Sequence, residues 1–356
     1  MTRTDYLHTL MNVFQLSWIE RTDRPCTPLR LLFSLIIVMF AIVIGQVVFG
    51  LGTTLLGYLP SVGLDDILIV RMVSAVSGQF IGSASWVLGF IVAAWFLDRR
   101  YPSDMGLQIT REWVGEFSVG FLLGIALQGA MLLIGLAAGW LTITGWLTGE
   151  VSLELIPWFI MTFVFYLCIG VREEVLFRGY LMTNVAEGLL WFDGVDRSMA
   201  VWIAIGISSI CFGFWHWGRS VNFLIFAVVF GLLFGLSYAL TDSIALPIGL
   251  HTAWDMAETS LFASHELPTN KLIETTATTS VTFIGNVTPL DLLSFAALLL
   301  GSVAVVGWIY YRTGRVSIHQ DIAVPDLHDN HYSWIRNLFV VEGIDDLYDS
   351  TGVEKE

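Results

Sequence analysis

Two adjacent glutamates and an arginine stand inside a long apolar run, in Glu173-Glu174-Val175-Leu176-Phe177-Arg178. Each ionisable side chain at membrane depth costs about 2.5–3.5 kcal/mol on insertion scales, so three together call for proton handling, transport or catalysis. Two histidines lie in or beside later apolar runs. His216 closes Phe212-Gly213-Phe214-Trp215-His216, and His251 opens His251-Thr252-Ala253-Trp254-Asp255. The strongest polar candidates are thereby confined to residues 172–255.

On a helix, residues four apart share a face, whereas neighbours diverge by about 100°. Glu174 and Arg178 can therefore pair along their own helix, which leaves Glu173 to face a polar cavity. His251 and Asp255, also four apart, can aim at one point. A water held between Glu173 and His216 could pass its proton to the carboxylate. Each group also has a structural reading. Glu174–Arg178 can be a pair that only holds helices together, His216 an interfacial residue, and His251–Asp255 a hydrogen bond along one helix. Phe212, Phe214, Trp215 and Trp217 suit lipid-facing packing as well as substrate contact.

The elements that must position these residues are membrane helices. The chain of 356 residues is 55% hydrophobic and 13% charged, with mean hydropathy +0.72; a soluble domain is about 25% charged. Eight apolar windows of spanning length are expected, at about 31–51, 77–97, 117–138, 155–182, 199–216, 221–240, 244–263 and 290–311. The fold class is all-α, a polytopic membrane helical bundle. Five regions follow: an N-terminal cytoplasmic amphipathic segment over 1–30, N-terminal transmembrane helices over 31–154, a core over 155–262, an external loop with the last transmembrane helix over 263–311, and an acidic cytoplasmic tail over 312–356.

Charge sets the expected topology and partners. Arg3, Arg21, Arg24 and Arg30 precede the first span, Arg99, Arg100 and Arg111 occupy the 98–116 connection, and Arg312 and Arg315 follow the last span. The positive-inside rule then puts both termini and the 98–116 loop in the cytoplasm. The loops 61–76, 139–154 and 264–289 face outside, the last rich in threonine. The net charge is −14, and only Lys271 and Lys355 are lysines. An acidic, lysine-poor chain suits a halophile's cytoplasm, where salt screens self-repulsion, and argues against nucleic acid as a partner. The lipid bilayer and a peptide or membrane protein are the partners expected.

Cys26, Cys168 and Cys211 show no paired spacing, and the last two are expected as small buried hydrophobes. No removable signal peptide is expected, because the first 28 residues carry charges throughout. Leu7, Leu10, Met11, Phe14 and Trp18 recur at helical spacing, as in an interfacial helix that Pro25 and Pro28 would end. The tail patch Trp334–Val340 suits a short surface helix.

The order EExxxR, FxxxH and HxxxD on successive helices resembles the CPBP family of CAAX prenyl proteases and bacteriocin-processing enzymes, also called Abi, over about residues 155–262. The resemblance implies an intramembrane endopeptidase whose helical bundle admits a peptide; eukaryotic members remove the tripeptide after a prenylated cysteine. Carried over by motif, Glu173 with His216 would activate the water and His251 would help stabilise the oxyanion. Asp255 would assist it, and Glu174 and Arg178 would orient the first motif. The prenyl-protease branch has Asn where this chain has Asp255, and an amide can donate to an oxyanion whereas a carboxylate repels it. Asp255 therefore suits orienting His251, or completing a metal site with Glu173, His216 and His251. The cofactor is a divalent metal such as zinc, or none; no HExxH is present.

Depth poses a problem for this site. At about 1.5 Å per residue, His251 falls roughly 10 Å from the inner surface and His216 roughly 27 Å from it. A shared water requires shifted helix boundaries, and the 183–220 region, with Glu187, Gly188 and Gly194, is where the shift is expected. Two competing functions remain: a non-catalytic scaffold or immunity-type binder of the same fold, and a proton-coupled transporter using Glu173. The second is weakened by the lack of an inverted repeat.

Overall fold

A computed structural model describes residues 24–57, 68–148, 155–262, 271–278, 287–324 and 327. Their order is α1 (Thr27–Gly57), α2 (Leu68–Ala93), α3 (Arg111–Ala137), β1 (Leu141–Thr148), α4 (Leu155–Glu174), α5 (Thr183–Leu189), α6 (Arg197–Trp215), α7 (Val221–Thr241), α8 (Ala245–Met256), β2 (Lys271–Ala277) and α9 (Pro289–Thr313). Among the described residues, six helices are long and apolar enough to cross a membrane, in α1, α2 with its extension to Asp98, α3, α6, α7 and α9. The protein is an all-α polytopic bundle and an integral membrane protein. Leu32, Ile36, Phe40 and Val43 of α1 point outward, while Arg30, Asp98 and Arg178 are buried. This polarity, apolar outside and charged within, is what a lipid solvent imposes.

Several boundaries differ from those the sequence suggests. The helix of α2 begins at Leu68, inside the expected 61–76 loop. Pro28, expected to end an N-terminal helix, sits in the first turn of α1, where its missing N–H removes no helical bond. The segments Leu7–Trp18 and Trp334–Val340 lie outside the described residues. Cys168 is buried as expected, but Cys211 is exposed, because it lies on the outer side of α6.

The expected loops 139–154 and 264–289 each contribute a strand. β1 and β2 pair antiparallel from Leu141↔Ala277 to Thr148↔Lys271, with an irregularity between Ile143 and Gly145. The Thr-rich run forms this ladder because β-branched residues suit a pleated, half-buried surface. One end of the bundle thus carries the sheet. The opposite end gathers Arg24, Arg30, Arg100 and Glu187 in ion pairs, an Arg312–Glu116 pair, and the bond from His319 N–H to the Ala239 carbonyl. Arg24 and the start of α1, the 98–116 connection, α5 and the segment after α9 therefore share one face, as an even number of crossings between them requires.

The helix α8 is held by close backbone approach. A Cβ on Gly120 would lie 2.2 Å from the Leu246 carbonyl oxygen, and one on Gly249 would lie 2.1 Å from that of Phe117. Small residues at this crossing let α3 and α8 meet as in other membrane helix pairs. α8 is only 12 residues long, and of these all but Asp255 are buried. It begins beneath the 102–107 segment, where Ile244 N–H donates to the Gly106 carbonyl at 3.1 Å. The helix continues as a π-helical stretch, Ala257–Leu261, so the expected 244–263 span corresponds to one continuous run buried among the other helices.

Candidate active site

α4 delivers the two glutamates at its last turn and runs directly into a π-helical stretch, Val175–Met182. Such widened turns recur at functional sites because they re-aim side chains. Arg178, fully buried, donates from Nη1 to Glu174 Oε1 at 3.1 Å and from Nη2 to the Gly231 carbonyl at 3.1 Å. Its guanidinium carbon lies 4.7 Å from the Phe212 ring centre and 4.9 Å from that of Phe234. A charge with no water around it is thus balanced by one carboxylate, one carbonyl and two aromatic faces.

His251 takes its place between both glutamates. Its Nδ1 lies 2.8 Å from Glu174 Oε1, while Nε2 lies 3.8 Å from Glu173 Oε2 and 3.5 Å from Asp255 Oδ2. The ring stacks on Phe234 at 4.9 Å between centres. A carboxylate accepts, so Nδ1 carries the proton of the bond to Glu174, and Nε2 is presented to Glu173 and Asp255. The separation of the two glutamates expected from helix geometry is bridged by this imidazole.

Glu173 is not left unattended on its own side. Arg172 Nη2 donates to Oε1 at 2.7 Å, and Trp215 Nε1 donates to the same oxygen at 3.3 Å. Oε2 has no hydrogen-bond partner, although Glu173 is only 4% exposed. The sequence leaves Trp215 open between lipid-facing packing and substrate contact. Its pairing with Glu173 crosses from α6 to α4, which no spacing within one helix reveals.

His216 caps α6, and its Nδ1 lies 2.9 Å from the Phe212 carbonyl. A carbonyl cannot donate, so Nδ1 carries the proton and Nε2 keeps its lone pair. Glu173, His216, His251 and Asp255 all line one cavity of about 90 Å³, walled by Phe212, Phe223, Phe226, Phe230 and Trp254. The depth difference counted along the sequence does not keep the two histidines apart, since His216 and His251 line the same cavity. The suspected segment around Glu187 instead forms α5 and its ion pairs.

A larger cavity, of about 350 Å³, lies toward the sheet end and shares Phe223, Phe226 and Glu258 with the smaller one. Of the metal-ligand candidates, His251 Nε2 faces Asp255 Oδ2 at 3.5 Å and Glu173 Oε2 at 3.8 Å. Among the described residues no three His, Cys, Asp or Glu side chains are gathered closely enough to hold an ion.

Residues 155–257, which include every residue of this cluster, match the family model of type II CAAX prenyl endopeptidases, Rce1-like. Comparison with curated proteins and comparison with solved structures gave no match.

Proposed function

We propose that the protein, whose segment 155–257 matches the Rce1-like model of type II CAAX prenyl endopeptidases, is an intramembrane endopeptidase that hydrolyses a peptide bond of a small or membrane-anchored substrate, with CAAX-type peptides the first to try. The family implies a protease, a peptide substrate and the lipid bilayer. The assignment of residues rests on one observation: Glu173 Oε2, buried and without a hydrogen-bond partner, belongs to the wall of a cavity that His216 and His251 also line.

In this reading, water sits between Glu173 Oε2 and His216 Nε2. Its oxygen adds to the substrate carbonyl carbon, its proton passes to Glu173, and the carbonyl electron pair moves onto oxygen. When the tetrahedral species collapses, the C–N bond breaks and Glu173 returns the proton to the departing amine. Glu174 holds His251 through Nδ1, and Asp255 fixes the ring from the Nε2 side. Each of these steps is carried by the side chains and the water alone.

A second reading is favoured by the Arg172–Glu173 pair at 2.7 Å. A carboxylate held in an ion pair can serve a binding scaffold as well as a base. A farnesylated fluorogenic CAAX peptide offered to the purified protein separates the two. Cleavage that Glu173→Gln abolishes supports the protease, whereas a folded wild-type protein that binds the peptide without cutting it supports the scaffold. We also propose that the face bearing Arg24, Arg30, Arg100 and Arg312 is cytoplasmic, on the basis of its arginines.

A further inference from the structure

Among the described residues, two that line the small cavity carry a buried polar side-chain atom with no hydrogen-bond partner: the acceptor Glu173 Oε2 and the donor Trp254 Nε1. They are chemically complementary, yet they do not bond to one another. Hydrolysis of an amide through a general base needs just such a pair, an acceptor for the proton of water and a donor for the oxygen that becomes negative.

Trp254 is placed for this by its helix. It lies three residues after His251 on α8, so the two share a face. Phe230 contacts both, with ring centres 4.9 Å from Trp254 and 6.1 Å from His251. Phe226 packs on Trp254 at 5.8 Å, and Trp254 is only 1% exposed. A buried N–H without an acceptor costs about 1–3 kcal/mol, and aromatic packing alone would accept Phe without that cost. The neighbouring Asp255 cannot fill the role when ionised, because a carboxylate only accepts. The other indole at the site, that of Trp215, is already engaged with Glu173.

We infer that the indole N–H of Trp254 is a hydrogen-bond donor to the substrate carbonyl oxygen, strengthening as that oxygen becomes an oxyanion. The inference rests on the protease reading above. The water proton goes to Glu173 as before, and Trp254 keeps its own proton throughout.

The test replaces one atom pair. 3-Benzothienylalanine, which carries sulfur in place of the indole N–H, is introduced at position 254 of the full-length protein, with Trp254→Phe as a second variant. Cleavage of the farnesylated CAAX peptide is followed for both. The expected result is a loss of about 10²–10³-fold in kcat with KM changed less than about threefold, as for removal of one oxyanion donor. Unchanged kcat in the benzothienyl protein, or a loss carried by KM alone, overturns the inference while leaving the protease reading intact. A wild-type protein that cuts no such peptide overturns both.

Discussion

Glu174 Oε1 and His251 Nδ1 are 2.8 Å apart, and the same oxygen accepts from Arg178. One buried carboxylate oxygen therefore joins the first motif to the third. Removing it strands a guanidinium and releases an imidazole at once.

Glu174→Ala should accordingly be among the most damaging single changes in the core. Breaking a buried pair by removing one partner costs about 3–5 kcal/mol. Thermal unfolding in detergent should show a large drop for Glu174→Ala and for Arg178→Met, and a smaller one for the double variant than the sum of the two. Additive losses would mean that the pair is not energetically coupled.

Trp215 supplies a narrower test, because it touches Glu173 through a single bond of 3.3 Å. Hydrogen bonds to charged groups are worth about 1.5–3 kcal/mol, and the length and partial exposure of Trp215 place this one at the lower end. Trp215→Phe should lower kcat about tenfold, at about 1.4 kcal/mol per decade, with the protein still folded. An unaltered kcat would remove Trp215 from the site.

Asp255 decides between orientation and metal binding. Its Oδ2 lies 3.5 Å from His251 Nε2, a contact an amide can replace by accepting through its carbonyl oxygen. Asp255→Asn should therefore retain most activity, and prolonged dialysis against a chelator should leave wild-type turnover unchanged. Chelator-sensitive activity restored by zinc, together with an inactive Asp255→Asn protein, would show that the residues rearrange to bind metal in the working enzyme.

The bundle and the residue types of this site were legible from the sequence because lipid makes buried charge so costly that Glu173, Glu174, Arg178, His251 and Asp255 stand out. Spacing along one helix gave Glu174–Arg178 and paired His251 with Asp255. Contacts between helices were not legible. The bond from His251 to Glu174, the approach of Trp215 to Glu173 and the buried Trp254 all depend on how α4, α6 and α8 cross. The approach of α4 to α8 depends on Gly170, where a Cβ would lie 2.9 Å from Thr252 Oγ1, a role visible only once that Cβ is placed. The β1–β2 ladder was also hidden, since short strands from distant loops leave no helical or spanning signal.

Glu187 gives a prediction about pH, well away from the cavity. It pairs with Arg24, with Arg30 at 3.0 Å and with Arg100 at 2.5 Å, tying α5 to the start of α1 and the end of α2. Burial pushes its carboxyl up, but the guanidiniums of Arg100, Arg30 and Arg24 outweigh burial and hold it below the usual carboxylate range. A carboxyl depressed in the folded state binds its proton more readily when unfolded. Its contribution to stability is therefore full above the ordinary glutamate range and is lost as pH falls through the lower folded value. Unfolding temperature should decline as pH drops from about 6 to below 4, and Glu187→Gln should lower stability at neutral pH while flattening that decline. A Glu187→Gln protein with the same slope as wild type would assign the acid sensitivity to other carboxylates.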